Sequence, residues 1–204
     1  IVAMEVEGVP HEFMAMPGVV EDVTEIILNL KNVVLKVDEE KLFEDMTGEP
    51  EEMYTLTIDV QGPKVVTAGD LFTGTEVEVV NKEAVICTVS EGGKFKGKFY
   101  ARRGVGYVSA EENKIFCKDA AGNVYSERIA IDSIYTPITK CMYQVEKTRV
   151  GDNVDFEKLE MEVWTNDSIT PNDSVSLAAQ FLVNHFNVIS LLNEMISQND
   201  FMHE

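Results

Sequence analysis

A helix with a well-marked start and apolar residues on two faces dominates the carboxy-terminal part of the sequence. Thr170, Pro171 and Asp173 fit the N-cap, the first-turn proline and the acidic third position of a helix. At roughly 1.5 Å per residue, a helix from here to about residue 196 is about 40 Å long. Its apolar residues form two stripes, Val175, Ala178, Leu182, Phe186 and Ile189 in the first, and Leu177, Phe181, Val188, Leu192 and Met195 in the second.

Two stripes on one helix indicate two packing partners, because a helix that covers a single sheet needs only one. Each large apolar side chain left in water forgoes roughly 1.5 to 3 kcal/mol of burial, and a patch of this size on a monomer favours aggregation. We therefore predict that one stripe covers this chain's own sheet and the other meets a second protein surface. The alternative is a helix buried on all sides within one subunit.

The preceding sequence predicts a β-rich body with one early helix. Val23, Ile26, Ile27 and Leu30 have the spacing of one apolar helix face. Alternating apolar and polar residues, separated by glycine and proline turns, predict strands elsewhere. These strands are expected at residues 1–7, 33–37, 54–60, 76–80, 83–89, 94–102, 124–131, 138–150 and 158–164.

The charge of the chain argues against direct binding to nucleic acid. Its 36 acidic and 17 basic residues give a net charge of −19, so phosphate groups are repelled and duplex DNA or RNA is a poor direct partner. Eight acidic residues lie within residues 38–52. A solvated surface insertion is the favoured interpretation of that segment, and a binding tail is the alternative.

Residue patterns typical of catalysis are missing from the sequence. The histidines, His11, His185 and His203, lie in no recognisable catalytic motif, and Cys87, Cys117 and Cys141 fit neither a disulfide framework nor a zinc site. No apolar run is long enough to span a membrane. We expect a cytoplasmic assembly module without catalytic residues, cofactor or membrane contact.

Several segments resemble the amino-terminal region of the bacterial RNA polymerase α subunit. The most specific are GVVED at residues 18–22 and VEKTRV at residues 145–150. The resemblance covers almost the whole chain in the right order. Its segments are residues 6–13, 17–31, 103–108, 131–137, 143–151 and 158–166.

The resemblance implies a scaffold with an α+β fold. In this family two α subunits dimerise and hold the β and β′ subunits, which carry out nucleotide addition. The family fold implies an inserted β-rich lobe at residues 1–142 and part of a dimerisation lobe, with a strand pair and a long helix, at residues 143–204. The implied dimer interface on that helix is Val175, Ala178, Phe181, Leu182, His185, Phe186, Ile189 and Leu192.

The resemblance also implies contacts to the larger subunits. The segment 18–31 is similar to part of the surface that meets β, with Glu21, Asp22, Glu25 and Lys31 as polar contacts. The alternative for the acidic residues is that they only stabilise the amino-terminal end of the helix. Arg149 and Lys158 are implied contacts to β or β′, and intrachain salt bridges are the alternative for them.

The sequence departs from the family pattern at both ends. We expect an upstream segment with a strand and an arginine-bearing helix, and a downstream DNA-binding domain, and neither is matched. No direct nucleic-acid contact is therefore expected from this part of the family. The alternative function is an acidic, β-rich module, unrelated to transcription, that binds a basic protein through residues 38–52.

Overall fold

The structure is a computed structural model that describes residues 1–37, 53–119, 121–151 and 153–191. These residues form two compact units, Ile1–Thr136 and a unit that begins at Pro137. The acidic segment 38–52, Leu192 and the predicted end of the long helix lie outside the described residues.

A four-stranded antiparallel sheet forms the centre of the first unit, with strand order β3-β7-β1-β9. Alternation along β3 places Leu56 and Ile58 in the core and leaves Thr55 and Asp59 exposed, as the period of two predicts. The strands are β1 Ala3–Val6, β3 Tyr54–Gln61, β7 Lys94–Ala101 and β9 Arg128–Ala130.

The described residues of the first unit also form three smaller strand pairs, namely β2 with β5, β4 with β6, and β8 with β10. Their bounds are β2 Leu35–Val37, β4 Lys64–Thr67, β5 Val77–Val79, β6 Val85–Val89, β8 Tyr107–Val108 and β10 Ser133–Ile134. Short 3-10 turns lie at Ala68–Asp70, directly after β4, and at Lys114–Cys117.

Helix α1, Val23–Leu30, closes the core of the first unit, and a short helix α2 spans Ala110–Asn113. Val23, Ile26 and Leu30 of α1 are buried in the same cluster as residues of the central sheet. This is the apolar face predicted from the spacing of these residues. It fixes the orientation of α1, and therefore which of its side chains face outward.

The described residues of the second unit form a two-stranded ribbon and a long helix. Strands β11 Ile138–Val150 and β12 Asn153–Thr165 pair in antiparallel fashion, and helix α3 spans Pro171–Ser190. Thr170 caps the helix, because its Oγ1 accepts a hydrogen bond of 3.2 Å from the amide of Asp173. The α+β fold class is thus confirmed, with a β-rich body followed by a strand pair and a long helix.

The packing of α3 differs from the prediction. None of its residues is buried, so the expectation that one apolar stripe lies buried against this chain's own strands is wrong for the described part of the helix. A ribbon of two strands offers too little surface to enclose a helix face. The predicted domain boundary between residues 142 and 143 falls inside β11, all of which belongs to the second unit.

Candidate protein-interaction surfaces

The loop that leads into α1 lies along the edge of β6. The amide of Ser90 donates to the carbonyl of Gly18 over 2.8 Å, and the amide of Val20 donates to the carbonyl of Thr88 over 2.9 Å. Strand β4 pairs with β6 as well. Residues 18–20 therefore extend this strand pair by a short third segment.

Two glycines permit the close approach of this loop. A Cβ atom on Gly18 would lie 2.6 Å from the Cα atom of Gly93, and Gly18 has a positive φ of 80°. A side chain at this position would collide with backbone, which cannot move aside as a flexible side chain can. The glycine of the GVVED motif is thus required by the packing.

Glu21 continues the attachment through its side chain. Its carboxylate accepts two hydrogen bonds from Thr88, one of 2.6 Å from the amide and one of 2.9 Å from the hydroxyl. Burial, and second the nearby charge of Glu21, raise the pKa of the Cys87 thiol to about 12. The buried Cys87 is therefore an inert, protonated thiol at neutral pH.

The remaining polar residues predicted in this segment have different surroundings. Asp22 is the N-cap of α1, and its Oδ1 accepts a 2.7 Å bond from the amide of Glu25. The side chain of Glu25 is exposed. Lys31 forms a partly buried ion pair of 2.6 Å with Asp132. Three of the four predicted contact residues thus hold intrachain partners, and Asp22 and Glu25 are the exposed acidic residues of the set.

An apolar surface lies on the outer side of the same segment. Phe13, Val20 and Leu28 are 79%, 68% and 52% exposed. The Thr24 hydroxyl donates to the carbonyl of Glu12 over 3.1 Å, which brings the loop that carries Phe13 beside the first turn of α1. Leu28 lies one helical turn after Thr24 on α1, and Val20 lies on the extended segment that precedes the helix. We refer to Phe13, Val20 and Leu28 as the α1 face.

In the second unit, the ribbon has one apolar side. Tyr143 faces Met161 and Val145 faces Leu159 in the register of the two strands. All four of these side chains are exposed. Cross-strand neighbours lie on the same face of a sheet, so these residues form a continuous patch, which we call the ribbon face.

Helix α3 adds further exposed apolar surface. Phe186 and Leu182 of the first stripe are 64% and 60% exposed, and Phe181 of the second stripe is 44% exposed. The remaining described residues of the predicted dimer interface, Val175, Ala178, His185 and Ile189, are exposed as well. The structure thus leaves every described member of that set accessible to a partner.

Arg149 and Lys158 lie on the ribbon and have intrachain polar partners. Arg149 Nε donates to the carbonyl of Gly151 over 2.5 Å, and Lys158 forms an ion pair with Glu160. Both residues remain solvent-accessible. Their predicted contacts to a larger subunit stay predictions.

Sequence reasoning missed the partners that hold the candidate residues in place. Thr88 and Asp132 lie far along the chain from Glu21 and Lys31, and no local pattern connects them. It also missed Arg128, whose guanidinium lies between the rings of Tyr100 and Tyr125 at 3.9 and 4.2 Å from their centroids. This stack attaches the edge strand β9 to the central sheet.

No group of three or more His, Cys, Asp or Glu residues in the described ranges could hold a metal ion. Likewise, no helix within the described part of the chain is long and apolar enough to cross a membrane.

Comparison with known proteins gives a family match and matches to individual relatives. Residues 2–136 match the family described as the RNA polymerase Rpb3/RpoA insert domain. The whole chain is 42% identical, over 204 residues, to the DNA-directed RNA polymerase subunit alpha of Carboxydothermus hydrogenoformans. The match covers 100% of this chain and 60% of that relative.

Proposed function

We propose, from the premise that this chain belongs to the bacterial RNA polymerase α subunit family, that it is an assembly scaffold of a DNA-directed RNA polymerase. In this role the protein dimerises and holds the β and β′ subunits in the cytoplasm, and it supplies no catalytic residue or cofactor of its own. We further propose that Ile1–Thr136 is the insert lobe and that the second unit is part of the dimerisation lobe.

The exposed apolar surface of the second unit is the observation that carries this proposal. Tyr143, Leu159, Phe186 and Leu182 are all more than half exposed. At roughly 25 cal/mol for each Å² of apolar surface buried, covering such a surface is a strong driving force for association. A protein that functions in an assembly has partners for this surface, whereas an isolated monomer would be prone to aggregate.

A second copy of this chain is the partner that we propose for α3. Its stripes offer Phe181, Leu182 and Phe186 for packing against the same helix of the other copy, as in a two-fold symmetric interface. His185 lies on the same helix, and its Nδ1 lies 2.9 Å from the carbonyl of Phe181. We propose the α1 face with Glu25 for contact with β, and Arg149 and Lys158 for contact with β or β′.

Charge substitutions with a matched control test the proposed dimer. Phe181→Glu should convert the dimer of the full-length protein to a monomer in sedimentation velocity, because a carboxylate cannot be buried unpaired in an apolar interface. Phe72→Glu is the control, since Phe72 is also exposed, at 72%, but lies in the first unit. Equal sedimentation of both variants and the wild type would refute the proposed interface.

Reconstitution with the larger subunits tests the scaffold function. The wild-type protein should retain purified β and β′ on an affinity resin, and deletion of residues 38–52 should leave this retention intact. The alternative function, a module that binds a basic protein through residues 38–52, requires the deletion to abolish binding. The family match spans that segment and does not favour the alternative.

A further inference from the structure

We propose that Glu21 is a positioning residue, which holds the α1 face in place by capping the open edge of β6, and is not itself a contact to the partner. This inference rests on the proposed function, in which the α1 face meets the β subunit. It assigns different tasks to neighbouring acidic residues that are alike in the sequence.

Thr88 lies on β6, at the edge that faces the loop before α1. Thr88 directs both its backbone groups toward the loop before α1, since its carbonyl accepts from Val20 and its amide donates to Glu21. In a regular antiparallel pair, a backbone carbonyl of the neighbouring strand would accept the bond from that amide. Here the Glu21 carboxylate takes the place of the strand carbonyl.

The reason for the replacement is the start of α1 immediately afterward. Asp22 is already the N-cap of the helix, so the backbone leaves the edge of β6 directly after Val20. An unpaired amide at this half-buried position would be costly. A carboxylate reaches back where the main chain cannot, and its second oxygen also accepts from the Thr88 hydroxyl.

The hydrogen bonds between Glu21 and Thr88 fix the positions of the residues on either side of Glu21. Val20, which precedes Glu21, belongs to the α1 face, and Asp22, which follows it, sets the first turn of α1. Both carboxylate oxygens of Glu21 are engaged within the chain, whereas Val20 and Leu28 point to solvent. A change at Glu21 therefore acts on the partner through the position of the α1 face.

Conservative and disruptive variants separate positioning from direct contact. In Glu21→Gln, the amide oxygen can accept from the Thr88 amide and the amide nitrogen can donate to the Thr88 hydroxyl. Glu21→Ala removes both bonds. Each variant is made in the full-length protein, and its affinity for purified β subunit is measured together with hydrogen exchange at the Val20 and Thr88 amides.

Positioning predicts that Glu21→Gln restores what Glu21→Ala loses. Glu21→Ala should weaken β binding about tenfold, the effect of losing charge-assisted hydrogen bonds, and should speed exchange at both amides. Glu21→Gln should stay within about threefold of wild type in binding, since a neutral hydrogen bond is somewhat weaker. Thr88→Val, which removes only the hydroxyl, should fall between them, and Thr88→Ser should behave as wild type.

Two results would overturn the proposal. If Glu21→Gln and Glu21→Ala weaken binding equally while amide exchange stays as in wild type, Glu21 is a direct charge contact. If Glu21→Ala changes neither β binding nor amide exchange, Glu21 does not position the α1 face.

Failure of the proposed function gives a different pattern. Leu28→Glu, a charge placed on the α1 face, should abolish β binding without altering exchange at Thr88. If Leu28→Glu binds β as well as wild type, or wild type does not bind, the α1 face does not meet β. Hydrogen exchange at the Thr88 amide then tests the positioning role of Glu21 by itself. Unchanged protection of that amide in Glu21→Ala would refute the role.

Discussion

Apolar and polar residues alternate along the strands of both units of this protein, and the units differ in whether the apolar side is buried. In the first unit, alternation along β3 and β7 places Leu56, Ile58 and Phe99 in a core that the sheet shares with α1. In the second, alternation along β11 and β12 gives a ribbon whose apolar side, with Tyr143 and Leu159, remains exposed. A periodic pattern thus specifies which side of a strand is apolar, and the number of neighbouring elements decides whether that side is buried.

This difference in burial determines how an apolar residue of each unit contributes to stability. A buried apolar side chain of the first unit, such as Phe99, stabilises the fold of its own chain, because its contacts are internal. On the described surface of the second unit, an equivalent side chain contributes once a partner covers it. The comparison can be tested by making the same substitution in both units.

The largest effect is expected from removing a buried phenylalanine. Phe99→Ala should lower the free energy of unfolding by about 3 to 5 kcal/mol, since Phe99 is fully buried and leaves a cavity. Phe186→Ala, in the second unit, should change the stability of the monomer by less than about 0.5 kcal/mol, because Phe186 is 64% exposed. Urea denaturation at low protein concentration measures both. A comparable loss in Phe186→Ala would show that α3 packs within its own chain.

A smaller effect is expected at the glycine contact beneath the α1 face. Gly18→Ala should cost about 1 to 3 kcal/mol more than Gly8→Ala, because the added methyl group would overlap the backbone of Gly93. The control is closely matched, since Gly8 has a φ of 81° and nothing within 4 Å of the added atom. Thermal unfolding of the two variants gives the difference, and equal melting temperatures would contradict the close approach.

The smallest effect is expected from the ion pairs. Lys31→Met should cost about 1 kcal/mol, because the bond to Asp132 is partly buried. Lys158→Met on the exposed ribbon should leave stability unchanged, since its pair with Glu160 is open to solvent. Chemical denaturation measures the free energy of unfolding of both variants. A larger loss in Lys158→Met would indicate that the ribbon depends on its own surface charges.

Much of the fold could be predicted because its signals are local. The cap and proline at Thr170 and Pro171, and the apolar spacing in α1, each lie within a few residues. Helix α2 was not predicted, since the β-rich body was expected to hold one early helix, although Ser109 and Glu112 form a capping box that is visible in the sequence. Local chemistry therefore identifies where elements begin.

The candidate sites were harder to predict, because they depend on contacts between distant residues. Glu21 and Thr88 are 67 positions apart, and nothing in either local sequence identifies the other as a partner. The exposure of α3 was mispredicted for a related reason. Two apolar stripes predict packing partners, but the stripes carry no information on whether a partner belongs to the same chain.

Hydrogen exchange at different protein concentrations tests most directly whether the apolar surface of the second unit is completed by another copy. We predict that dilution of the full-length protein speeds exchange of the amides in α3, while those of β3 and β7 keep their protection. Slow exchange in α3 that is independent of concentration would show that the helix needs no second copy, and would contradict the account.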